Sequence, residues 1–145
     1  MKLQVKRTNP YSILPRYATA GAAGMDLSAC LPEEPVTLEP GQRSLIPTGI
    51  AVALPALHVG LVFARSGLAV KQGIALSNGV GVIDSDYRGE VLVGLINLGN
   101  ESVTIHHGER IAQLAVMPVA QVTPVEVDDL DETDRGAGGF GSTGL

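Results

Sequence analysis

The side chains best suited to do chemistry lie in Gly81-Val82-Ile83-Asp84-Ser85-Asp86-Tyr87-Arg88-Gly89, a glycine-bounded stretch between two apolar, β-rich runs. A turn asks for one Asx residue and a glycine. This one carries two carboxylates and one of only five aromatic residues in the chain (three Tyr and two Phe), which is more than turning requires. A carboxylate held rigidly at the end of a sheet can serve as a general base, and the ring beside it as a platform for a small molecule. A polar hairpin tip with a satisfied tyrosine accounts for the same residues, so the rest of the chain has to decide.

Two other segments carry surplus chemistry. Arg65-Ser66-Gly67 precedes Leu68-Ala69-Val70-Lys71, where a short helix is expected from about Ser66 to Lys71. Backbone N–H groups at a helix start, a hydroxyl and a guanidinium form a phosphate cradle; an N-cap with a surface arginine is the alternative. Near the C-terminal end, Glu126-Val127-Asp128-Asp129-Leu130-Asp131-Glu132-Thr133-Asp134 holds six acids in nine residues, a solvated linker or rim by composition. It is followed by Arg135-Gly136-Ala137-Gly138-Gly139-Phe140-Gly141-Ser142-Thr143-Gly144, rich enough in glycine to be expected mobile. A disordered tail has no use for a lone Phe beside Arg and Ser-Thr. A flap closing over a phosphate-bearing aromatic base would use all of them.

The elements that must position these groups are strands. Helical periodicity is nearly absent, and short β-rich runs are punctuated by Gly and Pro. Strands are expected near 2–6, 25–29, 43–46, 49–54, 59–64, 80–83, 90–97, 101–105 and 111–117, with shorter pieces near 36–38, 74–76 and 119–123. Pro32, Pro35, Pro40, Pro47 and Pro55 cut the first half too finely for a central parallel sheet, which leaves an antiparallel sandwich or barrel. The 145 residues make one domain by length. Residues 1–125 are expected to form the β domain and 126–145 an acidic linker and flap.

Composition narrows the function classes. The net charge of −5 argues against a nucleic-acid polymer as partner, because such binding needs an extended basic footprint, but it leaves room for a single nucleotide. With Cys30 as the only cysteine, an intrachain disulfide is ruled out and a thiolate zinc site disfavoured. His58, His106 and His107 lack ligand-like spacing and read as surface or strand histidines. An apolar content of 45% against 17% charged residues hints at a buried subunit interface. No apolar run approaches the roughly 20 residues of a membrane span, and no signal peptide is visible, so a cytoplasmic location is expected.

Five segments stand in order: Ala22-Ala23-Gly24-Met25-Asp26-Leu27, Ala64-Arg65-Ser66-Gly67-Leu68-Ala69, the Asp84 turn, Gly108-Glu109-Arg110-Ile111-Ala112-Gln113-Leu114, and the tail from Arg135 to Gly144. Together they resemble the five motifs of the trimeric dUTP diphosphatase (dUTPase) family, over nearly the whole chain. The resemblance implies an all-β jelly-roll or distorted barrel of short, mostly antiparallel strands with one short helix. It also implies a homotrimer whose shared active sites convert dUTP and water to dUMP and pyrophosphate, with Mg²⁺ on the triphosphate.

The resemblance also distributes roles. Asp84 matches the family's catalytic aspartate, which activates water for attack on the α-phosphorus. Tyr87 matches the ring that packs on deoxyribose and excludes a 2′-hydroxyl. The hairpin from Asn78 through Val82 and Ile83 to Leu92 resembles the pocket that reads uracil and rejects cytosine and a 5-methyl group. Arg65, Ser66, Gly67 and Gln113 would meet phosphate or the attacking water, although Gln113 also reads as a solvent-facing residue of an edge strand. Asp26 would lie near Mg²⁺, acting through water, or else simply end a strand. Met25 stands where many relatives carry an aromatic residue, which puts fine packing in doubt. Phe140 would stack on uracil, with Arg135, Gly141, Ser142 and Thr143 closing over the phosphates. Ser85 and Asp86 read as turn-shaping residues, and Glu109 and Arg110 as a strand-start ion pair or turn.

Two other readings share part of this pattern. A dCTP deaminase of the same superfamily shares the fold, but its deamination glutamate lies in a differently spelled motif. A non-catalytic trimeric module binding nucleotide or protein would not need Asp84, Gln113 and the tail together.

Overall fold

The β-forming runs between prolines and glycines fold into eleven strands and one helix in the computed structural model, which describes residues 1–139. In chain order these are β1 (Gln4–Arg7), β2 (Arg16–Tyr17), β3 (Met25–Ser28), β4 (Val36–Leu38), β5 (Arg43–Ala53), β6 (His58–Ala64), α1 (Ser66–Gln72), β7 (Ile74–Leu76), β8 (Gly81–Ile83), β9 (Glu90–Asn97), β10 (Val103–Ile105) and β11 (Arg110–Pro118). Every pairing is antiparallel. The strands form one sheet of order β1-β5-β9-β7, a second of order β2-β3-β11-β6-β8, and a two-stranded β10-β4 ladder. The protein is all-β with one short helix, as expected, and its sheets stay open rather than closing into a barrel.

Alternation along the strands selects the core. Val91, Val93 and Leu95 of β9 point inward, and they share one cluster with Leu27, Leu38, Ile46, Ile50, Val62, Ile74, Ile105 and Leu114 from nearly every other strand. Burying each such side chain contributes about 1.5–3 kcal/mol. A slip of one residue would turn every one of them to solvent, so the register is fixed.

Three expectations change. The runs at 43–46 and 49–54 form a single strand, β5, because a bulge between Pro47 and Ala51 absorbs the proline that reads as a break. Among the described residues segment 119–123 pairs with no strand and is anchored by one bond, from the Val119 N–H to the Leu57 carbonyl, 2.9 Å. The two-residue β2 was not anticipated. No helix among the described residues is long and apolar enough to cross a membrane.

One topological detail positions the chemistry. β8 lies at the end of the five-stranded sheet and pairs with β6, whereas β9 lies inside the four-stranded sheet between β5 and β7. The Asp84 turn is therefore not a hairpin tip. It carries the chain from one sheet to the other, and the space between β8 and β9 is bridged by no ladder.

Candidate active site

The corner between β8 and β9 is held by its own backbone. The Tyr87 N–H donates to the Asp84 carbonyl at 3.2 Å, and the Arg88 guanidinium donates to the Ser85 and Tyr87 carbonyls at 2.8 Å each. The Tyr87 hydroxyl donates to the Glu90 carbonyl at 3.0 Å, which draws the ring back across Gly89. A Cβ at Gly89 would stand 2.6 Å from the ring Cζ, so only glycine accommodates the ring there. Asp84 is exposed and makes no ion pair among the described residues.

Between the corner, β8 and β9 lies a cavity of about 220 Å³. Asn78, Val82, Ile83, Asp84, Tyr87 and Leu92 all line it, so the structure brings together the six residues singled out from this part of the sequence. Val62, Val91 and Val93 supply apolar wall. The cavity is smaller than the roughly 300–1,000 Å³ of a pocket for a drug-sized ligand. It suits one small ring system with a polar attachment at the mouth.

Glu90, which sequence reasoning passed over, also lines this cavity. Its carboxylate accepts from the Gly49 N–H at 2.8 Å and from the Thr8 hydroxyl at 3.1 Å, tying the wall to the β5 bulge and the end of β1. Beside it the Thr48 hydroxyl donates to the Val91 carbonyl at 2.6 Å.

A second cluster forms on the outer face of the five-stranded sheet. Arg16, Asp26, Gln113 and Phe63 stand in register across β2, β3, β11 and β6. Asp26 is only 5% exposed, yet it is not orphaned: Arg110 Nη1 lies 3.1 Å from Oδ2 and Arg65 Nε 3.4 Å from Oδ1. Arg65 also donates to the Arg110 carbonyl at 3.2 Å. A carboxylate buried with two guanidiniums is compensated, where a lone one would be costly. Gly24 allows the Gln113 side chain to lie close, since a Cβ there would stand 3.2 Å from that of Gln113.

Ser66 and Gly67 are exposed at the start of α1, whose N-cap is Arg65 and which has no side-chain cap. A Cβ on Gly67 would meet nothing within 4 Å. Glycine inside a helix costs roughly 1 kcal/mol against alanine, and no contact among the described residues repays it. The bare backbone is open to an approaching group.

Among the described residues no group of three His, Cys, Asp or Glu side chains could hold a metal ion. Asp26 offers Oδ1, which is buried and lacks a hydrogen-bond partner but faces Arg65. One carboxylate with a spare oxygen fits a cation that brings phosphate and water ligands with it, and does not fit a resident ion.

The two clusters remain separate in the chain. None of Asp26, Arg65, Ser66, Gly67 or Gln113 lines the cavity beside Asp84. Arg135 joins neither: its Nε donates to the Gly138 carbonyl at 2.9 Å in a local turn. Phe140, Gly141, Ser142 and Thr143 lie outside the described residues. Of the two expectations for Glu109 and Arg110, a strand-start ion pair or a turn, the pair does not form, because Arg110 reaches Asp26, while Glu109 sits in a turn where its N–H donates to the His106 carbonyl and its carboxylate accepts from the His106 N–H, 3.2 Å each. The available signal was Asp26 itself, an acid in an apolar strand that needs a cation from elsewhere in the chain.

The fold and site define an all-β protein with a small, largely apolar cavity, a carboxylate at its mouth and a separate arginine cluster. Comparison with known proteins narrows that class. The dUTPase family model matches residues 10–144. The chain is 56% identical over 146 residues to the deoxyuridine 5′-triphosphate nucleotidohydrolase of Desulfitobacterium hafniense, covering 100% of this chain and 96% of that one. It is 58% identical over 132 residues to that of Desulfotalea psychrophila, covering 91% and 87%. The solved Staphylococcus bacteriophage 80alpha dUTPase with dUpNHpp superposes with a TM-score of 0.91 at 28% identity, covering 99% of each chain. The chain belongs to the dUTPase family.

Proposed function

We propose that this protein hydrolyses dUTP to dUMP and pyrophosphate. The observation that carries the reading is the convergence of Asn78, Val82, Ile83, Asp84, Tyr87 and Leu92 on one cavity. Its size suits a base with its sugar at the mouth and excludes a triphosphate, which then extends toward a separate cationic cluster. Asn78 and backbone groups of the β8 corner hydrogen-bond the uracil edge, and the close walls reject a 5-methyl group. A site whose buried polar groups need one edge discriminates more strongly than an apolar slot. Tyr87 covers the sugar and leaves no room for a 2′-hydroxyl.

In the reaction, Asp84 accepts a proton from water as the water oxygen bonds to the α-phosphorus. The bond from that phosphorus to the oxygen bridging to the β-phosphate breaks, and pyrophosphate leaves with the electron pair. Arg65, Ser66, the bare backbone at Gly67, and Gln113 bind the phosphate oxygens. Asp26 holds Arg65 and Arg110 in place and faces the cation only through water. The magnesium ion arrives as part of the substrate, Mg·dUTP, and supplies charge neutralisation along the triphosphate.

The assembly in this reading is a homotrimer with shared sites, which the separation of the two clusters supports. One chain supplies the cavity and another the phosphate cradle. A third supplies Arg135, Phe140, Gly141, Ser142 and Thr143 as a flap, with residues 1–125 as the scaffold and 126–145 as linker and flap. The outer face of the five-stranded sheet supports this assembly. There Val82, Leu61 and Ala115 stand in register, with Met117 opposite Val59 beside them, and Val82, Met117 and Phe63 are 64%, 48% and 39% exposed. An apolar sheet face of this kind is an interface in waiting. In the cell the reaction keeps uracil out of DNA and supplies dUMP for thymidylate synthesis.

Hydrolysis in ¹⁸O-labelled water tests the reaction. The label is expected in dUMP and absent from pyrophosphate, as attack on the α-phosphorus requires. Label in pyrophosphate, or no cleavage of Mg·dUTP, contradicts it.

A further inference from the structure

We propose that Gly89 is the seat of the Tyr87 ring and thereby a specificity-determining position, which sets discrimination between deoxyribose and ribose. This rests on the reading of Tyr87 as the residue that covers the sugar. Gly89 has no positive φ, so the backbone conformation does not demand glycine. What demands it is the ring: an added Cβ would stand 2.6 Å from Cζ and 3.0 Å from Cε2, where carbon atoms normally keep about 3.5–4.0 Å. The phenol thus lies against a bare Cα, held at its far end by the hydroxyl bond to the Glu90 carbonyl, 3.0 Å. Glu90 is in turn fixed through its carboxylate by the Gly49 N–H and the Thr8 hydroxyl.

The consequence of a side chain at Gly89 is specific. Chain neighbours aside, the three atoms nearest to an added Cβ there all belong to the Tyr87 phenol, the far end of a rotatable side chain, and not to backbone. The corner therefore keeps its fold, and the ring swings away from β9 with loss of its bond to Glu90. The mouth of the cavity opens at the sugar, while Asn78 and the β8 backbone that read the base stay where they are. Sugar discrimination and base discrimination separate, which a general loosening of the corner would not achieve.

The test compares kcat/KM for dUTP, UTP and dTTP in Gly89→Ala, Tyr87→Ala and the double variant. Gly89→Ala is expected to raise the UTP-to-dUTP ratio roughly tenfold or more, with the dTTP-to-dUTP ratio unchanged. Tyr87→Ala is expected to do at least as much, and the double variant to match Tyr87→Ala alone, because without the ring the added methyl meets nothing. Should Gly89→Ala prove insoluble, recovery of soluble protein in the double variant supports the seat equally. The proposal is overturned if Tyr87→Ala relaxes the sugar ratio and Gly89→Ala does not. It also fails if the two effects multiply, if the dTTP ratio rises in step with the UTP ratio, or if the double variant folds no better than an insoluble Gly89→Ala. A Tyr87→Ala enzyme that still rejects UTP instead removes Tyr87 from the sugar, and the role of Gly89 with it.

Discussion

Asp84 and Asp26 differ in what surrounds them, and substitution should separate their roles. Asp84 is exposed and makes no ion pair among the described residues, so neutralising it disturbs no internal partner. Asp84→Asn is expected to keep the wild-type melting temperature and to bind dUTP measurably by calorimetry. Its kcat should fall by about 10²–10⁴, the usual contribution of a general base. Near-normal kcat would take Asp84 out of the reaction. Asp26→Asn removes the buried partner of two guanidiniums that are themselves partly exposed, 27% for Arg65 and 48% for Arg110, and so able to rehydrate. Urea unfolding should show a loss of about 1–3 kcal/mol, and an unchanged midpoint would mean the cluster contributes no stability. Asp84 and Tyr87 were legible because their chemistry exceeded what a turn needs, whereas Asn78, Val82, Ile83 and Leu92 were reached only through the family likeness. The bond from Arg110 to Asp26 was not legible, since it spans the β3–β11 ladder and no local pattern announces it.

At the scale of elements, alternation and punctuation revealed nearly every strand, and the misses share a cause. Pro47 reads as a break, yet the bulge around Gly49 carries β5 past it. Val119 to Thr123 has strand-like composition, but no neighbouring edge takes it up. A hairpin and a sheet-crossing corner have the same local residues, so the corner at Asp84 became visible only through the partners of β8 and β9. Asn97, fully buried, ties β9 to β4 through a bond from its amide to the Leu38 carbonyl at 2.8 Å, a role invisible in an Asn within an apolar run.

The bulge makes its own prediction. Gly49 has φ +68°, and a Cβ there would stand 2.7 Å from Ser12 Cβ and 2.8 Å from Cys30 Sγ. Left-handed backbone costs an alanine about 1–2 kcal/mol and overpacking about 1–3 more. Gly49→Ala should therefore lose about 2–5 kcal/mol in denaturant unfolding, and a loss below 1 kcal/mol would mean the bulge relaxes freely. The neighbouring Cys30 thiol is pushed above its ordinary pKa, first by burial and then by the charge of Glu90. A thiol-specific reagent should label it much more slowly in the folded protein than in denaturant, and equal rates would show the bulge opening readily.

For the whole molecule, the proposed shared site requires the two separate clusters to meet across chains. The sequence suggested shared sites only through family likeness; the structure adds that the cavity and the arginine cluster have no lining residue in common. Truncation before Arg135 should leave an assembly of three chains by native mass, each lighter than the 15.0 kDa full-length chain by the residues removed, while losing most of the turnover. Unchanged kinetics would leave the tail without a role. Mixing is a sharper test of sharing. Asp84→Asn and Arg65→Ala chains, each inactive alone, should regain activity in about a quarter of the sites when co-assembled at random, since each site takes Asp84 from one chain and Arg65 from another and both variants keep the flap. No recovery on mixing would confine each site to one chain.

The measurement that bears most directly on the central claim is kcat/KM for pyrophosphate release from Mg·dUTP beside UTP, dTTP and dCTP, with ammonia followed in parallel. A preference for dUTP of about 10² or more over each competitor, without ammonia, is the predicted result. Comparable turnover of dCTP with release of ammonia, or no preference among the four nucleotides, would contradict it.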